Sequence, residues 1–271
     1  MPSYACYVDA MSHAAINGQQ IYFEDTGGDG SPVILGHGFL MDHEMFASQV
    51  AALRQKYRVI TWDERGFGMT EFDGLPFTYW DSADDCLGLL THLGIERAVV
   101  GGMSQGGFLA LRAALVAPGR VRALILLDTQ AGVDSDEVLA LYQGMIDMWL
   151  GVGPVDELTD GVASSIINEP IENARWISKW QGRPKELIEE PARCLITRDD
   201  ITSRLGEITC PALVVHGTGD TAIEMDRAEM LAAALSGSGA VVKVPGAHAA
   251  AMTHPGPTNA AILAFLAGLA D

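Results

Sequence analysis

Residues 98–109, AVVGGMSQGGFL, predict a short apolar strand, a glycine-rich turn and the first residues of a helix. Ser104 stands at the apex of the turn, and Gly102 and Gly106 lie two residues on either side of it, which gives G-x-S-x-G. Small flanking residues let a strained turn pack between a sheet and a helix. A phosphate-binding loop is the main rival, but G-x-G-x-x-G and Gly-Lys-Ser/Thr patterns are both missing here. The stretch therefore predicts a nucleophile elbow.

The composition predicts one globular α/β chain with a large core. The chain has 271 residues, of which 48% are hydrophobic and 19% are charged. Lysine and arginine together number 17 against 35 aspartates and glutamates, and the resulting net charge of -18 repels nucleic acids and anionic lipid headgroups. We therefore expect neither a nucleic-acid partner nor a membrane partner.

Targeting and redox signals point to a reducing compartment. Apolar runs stay well below the roughly 20 residues needed to span a bilayer, and the first residues lack the basic and apolar regions of a signal peptide. We therefore expect a cytoplasmic protein. The cysteines do not show metal-ligand spacing, which predicts buried thiols and no metal site. They are Cys6, Cys86, Cys194 and Cys210.

Apolar strand patterns alternate with helical patterns along most of the chain. This rhythm predicts a mostly parallel eight-stranded sheet flanked by helices, with an Asn17-Gly18 hairpin near the start. Residues 1–12 show no clear period and are a possible N-terminal extension. The predicted strands are residues 13–16, 20–25, 33–35, 57–62, 98–100, 121–127, 211–215 and 240–244, and the predicted helices include residues 46–53, 80–93, 225–235 and 258–269.

The rhythm stops between residues 131 and 204. This segment has helical periodicity interrupted by prolines and shows no convincing strand. We predict a helical cap at 131–204, inserted after the strand that follows the elbow unit, and a core made of 1–130 and 205–271. Seven basic residues lie near the end of the cap, in an otherwise acidic chain.

Three candidate catalytic residues each follow the carboxyl end of a predicted strand. A serine hydroxyl needs a base to accept its proton, and an acid to orient that base. Ser104, Asp220 and His248 appear in the chain order Ser, acid, His, and the ends of parallel strands meet at one sheet edge. Asp128 is the alternative acid, because it also ends a strand. His254 is the rival base.

Other histidines and charged residues have structural interpretations. His37 and His216 lie in strand-end turns, where a packed and hydrogen-bonded ring is expected. Asp63 and Arg65 are interpreted as a structural ion pair or loop clamp. The remaining histidines are predicted to be surface or helix residues, namely His13, His43 and His92.

An oxyanion hole needs backbone N–H groups near the serine. Gln105, the residue after the predicted nucleophile, supplies one such group. The loop that follows the strand at residues 33–35 supplies the other, and Phe39 is the predicted donor.

The ordered set of motifs resembles the α/β-hydrolase superfamily. The motifs are His37-Gly38-Phe39, Asp63-x-Arg65-Gly66-x-Gly68, Gly102-x-Ser104-x-Gly106, Gly219-Asp220 and His248. The layout is similar to small bacterial carboxylesterases, enol-lactone hydrolases and cofactor-free perhydrolases. Leu40 departs from the perhydrolase-like members, which usually carry proline there, and this departure argues against peroxide chemistry.

The resemblance implies a serine hydrolase that needs no cofactor. We expect it to cleave a small-molecule ester or lactone with an apolar acyl or alcohol part through an acyl-enzyme, and the basic cap residues leave room for a carboxylate-bearing substrate. The alternatives are carbon–carbon bond hydrolysis of ring-cleavage products, perhydrolysis, or a ligand receptor of the same fold. The sequence does not indicate an oligomeric state. The predicted pocket residues are Leu40, Met103, Met145, Trp149 and Trp176.

Overall fold

A sheet of eight strands lies at the centre of the molecule, whose computed structural model describes residues 10–269. The strands are β1 (Ala10–Ile16), β2 (Gln19–Asp25), β3 (Ser31–Gly36), β4 (Tyr57–Trp62), β5 (Ala98–Met103), β6 (Val121–Leu127), β7 (Ala212–Gly217) and β8 (Val242–Val244).

The strand order is β1-β2-β4-β3-β5-β6-β7-β8. β1 and β2 form an antiparallel hairpin, β2 pairs antiparallel with β4, and every later pair is parallel. Asn17 and Gly18 make the hairpin turn with φ of 48° and 85°, as an Asn-Gly turn requires. The predicted mostly parallel, eight-stranded sheet is confirmed.

Helices connect the parallel strands and cover both faces of the sheet. Four of them, α4 to α7, fall between β6 and β7 in the chain. Their bounds are α1 (Ala47–Leu53), α2 (Tyr79–His92), α3 (Gln105–Val116), α4 (Asp136–Val152), α5 (Asp156–Ile166), α6 (Pro170–Gln181), α7 (Glu189–Ile196), α8 (Met225–Ala234), α9 (Ala250–Thr253) and α10 (Pro255–Gly268).

The two ends of the sheet differ from the predicted bounds. β1 begins at Ala10, three residues before the predicted start, because the hairpin register continues to the Ala10–Asp25 pair. Residues 1–9 of the predicted extension lie outside the described residues. β8 is also shorter than predicted, since its pairing with β7 starts only at Val242.

Alternate residues of the central strands feed two apolar clusters, one on each face of the sheet. Val99 of β5 belongs to one cluster and Val100 to the other. Ile125 and Leu126 of β6 divide in the same way. This period of two follows from strand geometry, and burial on both faces explains the continuous apolar run of β6.

Residues 131–204, named the cap segment below, contain α4 to α7 and none of the described strands. Three tryptophans of this segment are buried in the same apolar cluster as one face of the sheet: Trp149, Trp176 and Trp180. None of the helices within residues 10–269 is long and apolar enough to cross a membrane.

Candidate active site

Ser104 occupies the sharp turn between β5 and α3. Its φ of 53° and ψ of -113° place a non-glycine residue in a sparsely populated region, at a cost of about 1–3 kcal/mol. The chain can pass so close to β3 because Gly102 and Gly106 carry no side chain. An added Cβ would lie 2.4 Å and 2.0 Å, respectively, from the Gly36 carbonyl oxygen. The two glycines of G-x-S-x-G are therefore required by packing.

Hydrogen bonds hold the strained turn in place. The Ser104 N–H donates to the Leu127 carbonyl oxygen at 2.9 Å, which ties the turn to the end of β6. The Ser104 carbonyl oxygen accepts from the Gly107 N–H at 2.9 Å and from Thr129 Oγ1 at 2.8 Å. The backbone of Ser104 is thus fixed by its neighbours. The first residue of α3 follows directly, so the positive end of the helix dipole lies beside the serine.

Asp220 and His248 meet beyond the ends of β7 and β8. The Nδ1 of His248 lies 2.7 Å from Asp220 Oδ2. The other carboxylate oxygen of Asp220 accepts from the N–H groups of Ala222 at 2.8 Å and Ile223 at 3.0 Å. These bonds orient the carboxylate toward the ring. His248 therefore carries its proton on Nδ1 and leaves Nε2 free to accept another.

The surroundings of Asp220 favour its charged form. Burial alone would raise its pKa, but the charge and hydrogen bond of His248, with the Ile223 N–H, lower the pKa below its ordinary value. Asp220 is ionised at neutral pH, as a group that stabilises an imidazolium must be.

Asp128, the alternative acid, is placed differently. Its Oδ1 accepts the Gly217 N–H at 2.7 Å, and its φ is 46°. Burial and then the neighbouring charge of Asp220 raise the pKa of Asp128 well above its ordinary value, against the Gly217 hydrogen bond. The surroundings of this carboxyl group favour its protonated form, and its hydrogen bond to Gly217 fixes the end of β7. It is Asp220, not Asp128, that hydrogen-bonds His248.

The two strand-end histidines, His37 and His216, are buried and hydrogen-bonded. His37 Nδ1 lies 2.8 Å from the Gly38 carbonyl oxygen, and its Nε2 accepts from the Glu64 N–H at 3.0 Å. Burial lowers the pKa of both rings, so both are neutral. His216 Nε2 donates to the Ile223 carbonyl oxygen at 2.8 Å, next to Asp220.

The rival base, His254, has a different hydrogen-bond partner from His248. The ring is exposed, and its Nδ1 hydrogen-bonds the Thr253 hydroxyl at 3.1 Å.

The two predicted oxyanion donors lie in two segments that meet at the turn containing Ser104. Gln105 is the first residue of α3, and Phe39 lies in the turn after β3. Neither N–H has an acceptor among residues 10–269. Gly38, by contrast, donates to Met45 Sδ at 3.4 Å. The loop and the helix are joined because the Gly106 N–H donates to the His37 carbonyl oxygen at 3.1 Å.

An open cleft lies where the cap segment meets the loops after β3 and β4. Three of the five predicted pocket residues line it, namely Leu40, Trp149 and Trp176. Met103 and Met145, the other two predicted pocket residues, do not line this cleft. Met103 packs beneath Gly38, where its Sδ lies 2.4 Å from the position of an added Cβ.

Trp180 is a cleft residue that the predicted pocket set left out. Its Nε1 donates to the Leu40 carbonyl oxygen at 2.6 Å, and Leu40 has a φ of 63°. The signal was present in the sequence, because Trp180 lies four residues after Trp176 and hence on the same helical face.

Asp63 and Arg65 do not form an ion pair with each other, but Asp63 does clamp its own loop, because its Oδ2 accepts the Met69 N–H at 2.7 Å. Asp63 Oδ1 lies 2.8 Å from His43 Nδ1, and the Arg65 guanidinium binds Asp85 in α2. His43 begins a short 3-10 helix but is only 6% exposed. The pair is buried because residues 43 and 63 follow neighbouring strands, which the local sequence pattern does not reveal. Exposure of His13 and His92 agrees with their prediction as surface residues.

Two clusters of acidic residues and histidine have ligand atoms close enough together to hold a cation, but hydrogen-bond donors of the protein bind their carboxylate oxygens. In the cluster of Asp128, His216 and Asp220, the candidate ligand atoms lie within 4.8 Å of one another. The carboxylate oxygens there already accept the backbone and ring N–H groups described above. In the second cluster, Asp63 accepts from both N–H groups of His43 and from the Met69 N–H. Hydrogen bonding explains both clusters.

Comparison with known proteins identifies the family. A family model described as the α/β hydrolase fold matches residues 31–255, which is most of the chain. The chain belongs to the α/β-hydrolase family. It is a hydrolase of that family, and the fold and motif order described above agree with this assignment.

Named relatives of this α/β-hydrolase cover nearly its whole length. A putative non-heme chloroperoxidase from Synechocystis is 28% identical, over 91% of this chain and 94% of the relative. A thermophilic esterase from Thermogutta terrifontis, solved with malate bound, is 30% identical with a TM-score of 0.86, over 97% of this chain and 98% of that one. The enol-lactonase from Burkholderia xenovorans LB400 is 27% identical with a TM-score of 0.87, over 94% and 99%.

Proposed function

We propose that this α/β-hydrolase cleaves a carboxylic ester or lactone through an acyl-enzyme formed on Ser104. The observation that carries the proposal is the 2.7 Å contact between His248 and Asp220, at the same sheet edge as the strained Ser104. Such an ordered histidine is what a serine hydroxyl needs to become a nucleophile. The similarity to an esterase and to an enol-lactonase supports the same substrate class.

In the proposed mechanism, His248 removes the proton from Ser104 Oγ as this oxygen attacks the ester carbonyl carbon. The ionised Asp220 stabilises the imidazolium that forms. His248 then returns the proton to the departing alkoxide oxygen, so the alcohol leaves and an acyl group stays on Ser104. A water molecule repeats the sequence: His248 takes its proton, the hydroxide adds to the acyl carbon, and the acid and free serine are restored.

The negative charge of each tetrahedral intermediate needs hydrogen-bond donors that are already in place. We assign this role to the N–H groups of Phe39 and Gln105, which lack acceptors among the described residues. Donors fixed before the reaction stabilise a developing oxyanion without reorganising, and one such donor contributes about 10²–10³-fold to kcat. His37 positions this arrangement, because its carbonyl oxygen binds Gly106 and its ring binds Glu64.

The proposed substrate has an apolar part that binds at the boundary between the cap segment and the core. Leu40 follows the proposed oxyanion donor directly, and Trp149 and Trp176 line the same cleft. Indole rings provide a large apolar surface, and the hydrophobic effect favours its burial against an acyl or alcohol chain. The proposed ligand is a small molecule.

The test is hydrolysis of p-nitrophenyl esters from acetate to decanoate by the wild type and by Ser104→Ala. The wild type should turn over, and the alanine variant should lose about 10⁴-fold or more in kcat, because the three residues act as one unit. The chain length with the highest kcat/KM measures the apolar pocket. Equal, slow hydrolysis by both proteins would instead favour carbon–carbon bond hydrolysis or a receptor function.

Perhydrolysis is the second candidate, favoured by the similarity to a chloroperoxidase. In that reaction hydrogen peroxide replaces water as the acyl acceptor, and the acyl group leaves Ser104 as a peracid. Leu40 opposes this candidate, because its φ of 63° is one that proline cannot adopt. The backbone after Phe39 therefore differs from that of a loop built on proline. Peracetic acid formation from p-nitrophenyl acetate and hydrogen peroxide would measure the activity.

A further inference from the structure

Arg183 differs from most basic side chains of the cap segment in its partners. Among residues 10–269, Arg183 and Lys185 form no ion pair and donate only to backbone carbonyl oxygens. The other basic residues between 175 and 204 each pair with an aspartate or glutamate: Arg175, Lys179, Arg193, Arg198 and Arg204.

The Arg183 guanidinium is anchored but not saturated. One terminal nitrogen donates to the Gly68 carbonyl oxygen at 2.8 Å and the other to the Gly66 carbonyl oxygen at 3.0 Å. Two of the five N–H donors of an arginine are therefore used, and three remain. Burial lowers the pKa of Arg183 despite the opposing charges of Asp42 and Asp63, yet an arginine stays protonated. The side chain is a fixed positive charge with donors to spare.

Arg183 lines the cleft between the cap segment and the core, among the tryptophans described above. The cleft contains one carboxylate, that of Asp42, and Lys179 Nζ lies 2.6 Å from it. Lys179 also contacts Glu44, which Arg175 binds as well, so these two acids and two cations balance each other. Of the two cations that line the cleft, Lys179 and Arg183, Arg183 is the one that forms no ion pair among the described residues.

The cleft that holds this charge adjoins the proposed oxyanion hole. Leu40 lines the cleft and directly follows Phe39 in the chain. The loop after β4, to which Arg183 is bound, is separated from β5 and Ser104 by β3 alone. Phe67 of the cleft wall meets the ring of Phe39, with 5.7 Å between the centroids. The cleft thus begins beside the proposed oxyanion hole.

We propose that Arg183 binds a carboxylate of the substrate, so that the enzyme prefers esters or lactones whose far end carries a carboxylate. The inference rests on the proposed acyl-enzyme function. A guanidinium matches the planar, two-oxygen geometry of a carboxylate, and charge-assisted hydrogen bonds are about twice as strong as neutral ones. A local cation is needed because the net charge of -18 repels anions from the molecule as a whole.

The test compares two p-nitrophenyl esters of equal acyl length, the adipate monoester with its free carboxylate and the neutral hexanoate. Arg183→Gln should reduce kcat/KM for the adipate monoester by about 10- to 100-fold, mainly through KM, as expected for a lost charged hydrogen bond. The rate with hexanoate should change by less than about 3-fold. Arg183→Lys keeps the charge without the fork and should recover part of the loss.

Lys185→Gln is the matched control. It removes the same charge two residues away, from a side chain that donates to the Gly151 carbonyl oxygen and does not line the cleft. It should leave both esters within about 3-fold of the wild type. Equal losses on both esters in Arg183→Gln would show that Arg183 only fixes the cap segment. No loss, or the same loss in Lys185→Gln, would also overturn the proposal.

A binding measurement separates this proposal from the proposed function. Adipate itself is titrated calorimetrically into the wild type and into Arg183→Gln, without any reaction. The wild type should bind adipate at least about 10-fold more tightly than the variant. If neither ester is hydrolysed but adipate binding depends on Arg183, the acyl-enzyme function fails and the carboxylate site stands. If the esters are hydrolysed and adipate binding is the same in both proteins, the reverse holds.

Discussion

The sheet edge at Ser104 and the cap segment above it are held together by different forces. At the sheet edge, backbone hydrogen bonds fix Ser104 and Asp220, and an added Cβ at Gly106 would meet a carbonyl oxygen at 2.0 Å. The cap segment is joined to the core largely by side chains, such as Lys179 on Asp42 and Trp180 on the Leu40 carbonyl oxygen, beside the backbone hydrogen bond from the Ala249 N–H to the Ile166 carbonyl oxygen. We infer that the sheet edge determines the reaction and the cap segment selects the substrate.

The largest effect on activity is expected from replacing Asp220, the proposed catalytic acid at the sheet edge. Asp220→Asn should reduce kcat for p-nitrophenyl butyrate by about 10³–10⁴-fold, because a neutral amide cannot stabilise the imidazolium or keep the ring in the required tautomer. Asp128→Asn is the matched variant, because Asp128 does not hydrogen-bond His248 and its burial raises its pKa. It should change kcat by less than about 3-fold. A large loss in Asp128→Asn with a small one in Asp220→Asn would reverse the assignment.

The same Asp128 variant has a predicted pH dependence. In the folded wild type the pKa of Asp128 is raised above its ordinary value of 3.8. Folding therefore takes up a proton at any pH at which Asp128 is ionised in the unfolded chain. Wild-type stability is therefore lost progressively as pH rises above about 4. An asparagine at this position takes up no proton on folding. The free energy of unfolding of Asp128→Asn, measured with urea, should therefore rise relative to that of the wild type between pH 4 and pH 8. A difference that shrinks with rising pH would contradict the raised pKa of Asp128.

The next largest effect is a change in stability when a glycine of the sheet edge or of the cap segment is replaced by alanine. Gly106→Ala should destabilise the fold by about 3 kcal/mol or more, because backbone atoms, which cannot move aside, surround the new Cβ. Gly144→Ala in α4 of the cap segment meets nothing within 4 Å and should stabilise the fold by about 0.5–1 kcal/mol. Thermal unfolding of both variants measures the contrast. Similar changes of one sign would show that the two regions pack alike.

The smallest effect is expected where the two regions touch. Trp180→Phe keeps the ring but removes the N–H that binds the Leu40 carbonyl oxygen, at a cost of about 1 kcal/mol. Tm should fall by about 2–4 °C, and KM for p-nitrophenyl butyrate should rise a few-fold because Leu40 follows Phe39. An unchanged Tm and KM would mean that the cap segment does not support the loop after β3.

The sequence predicted the sheet better than the cleft, for a physical reason. The elbow, the mostly parallel sheet and the contact of Asp220 with His248 follow from local patterns, because parallel strands bring their carboxyl ends to one edge. The His43–Asp63 pair joins residues from neighbouring strand ends and has no local signature. Met103 was expected in the pocket, but its side chain packs beneath Gly38. Arg183 stood out only once the partners of the other cations were known.

The most direct test of the central claim is covalent labelling of the proposed nucleophile. The wild type and Ser104→Ala are incubated with a fluorophosphonate, which traps activated serines, and each is analysed by intact-protein mass spectrometry and peptide mapping. We predict a single adduct on the wild type, located on the peptide that contains Ser104, and none on the variant. A wild type without an adduct, or an adduct of equal yield on the Ser104→Ala protein, would contradict the assignment of Ser104 as the nucleophile.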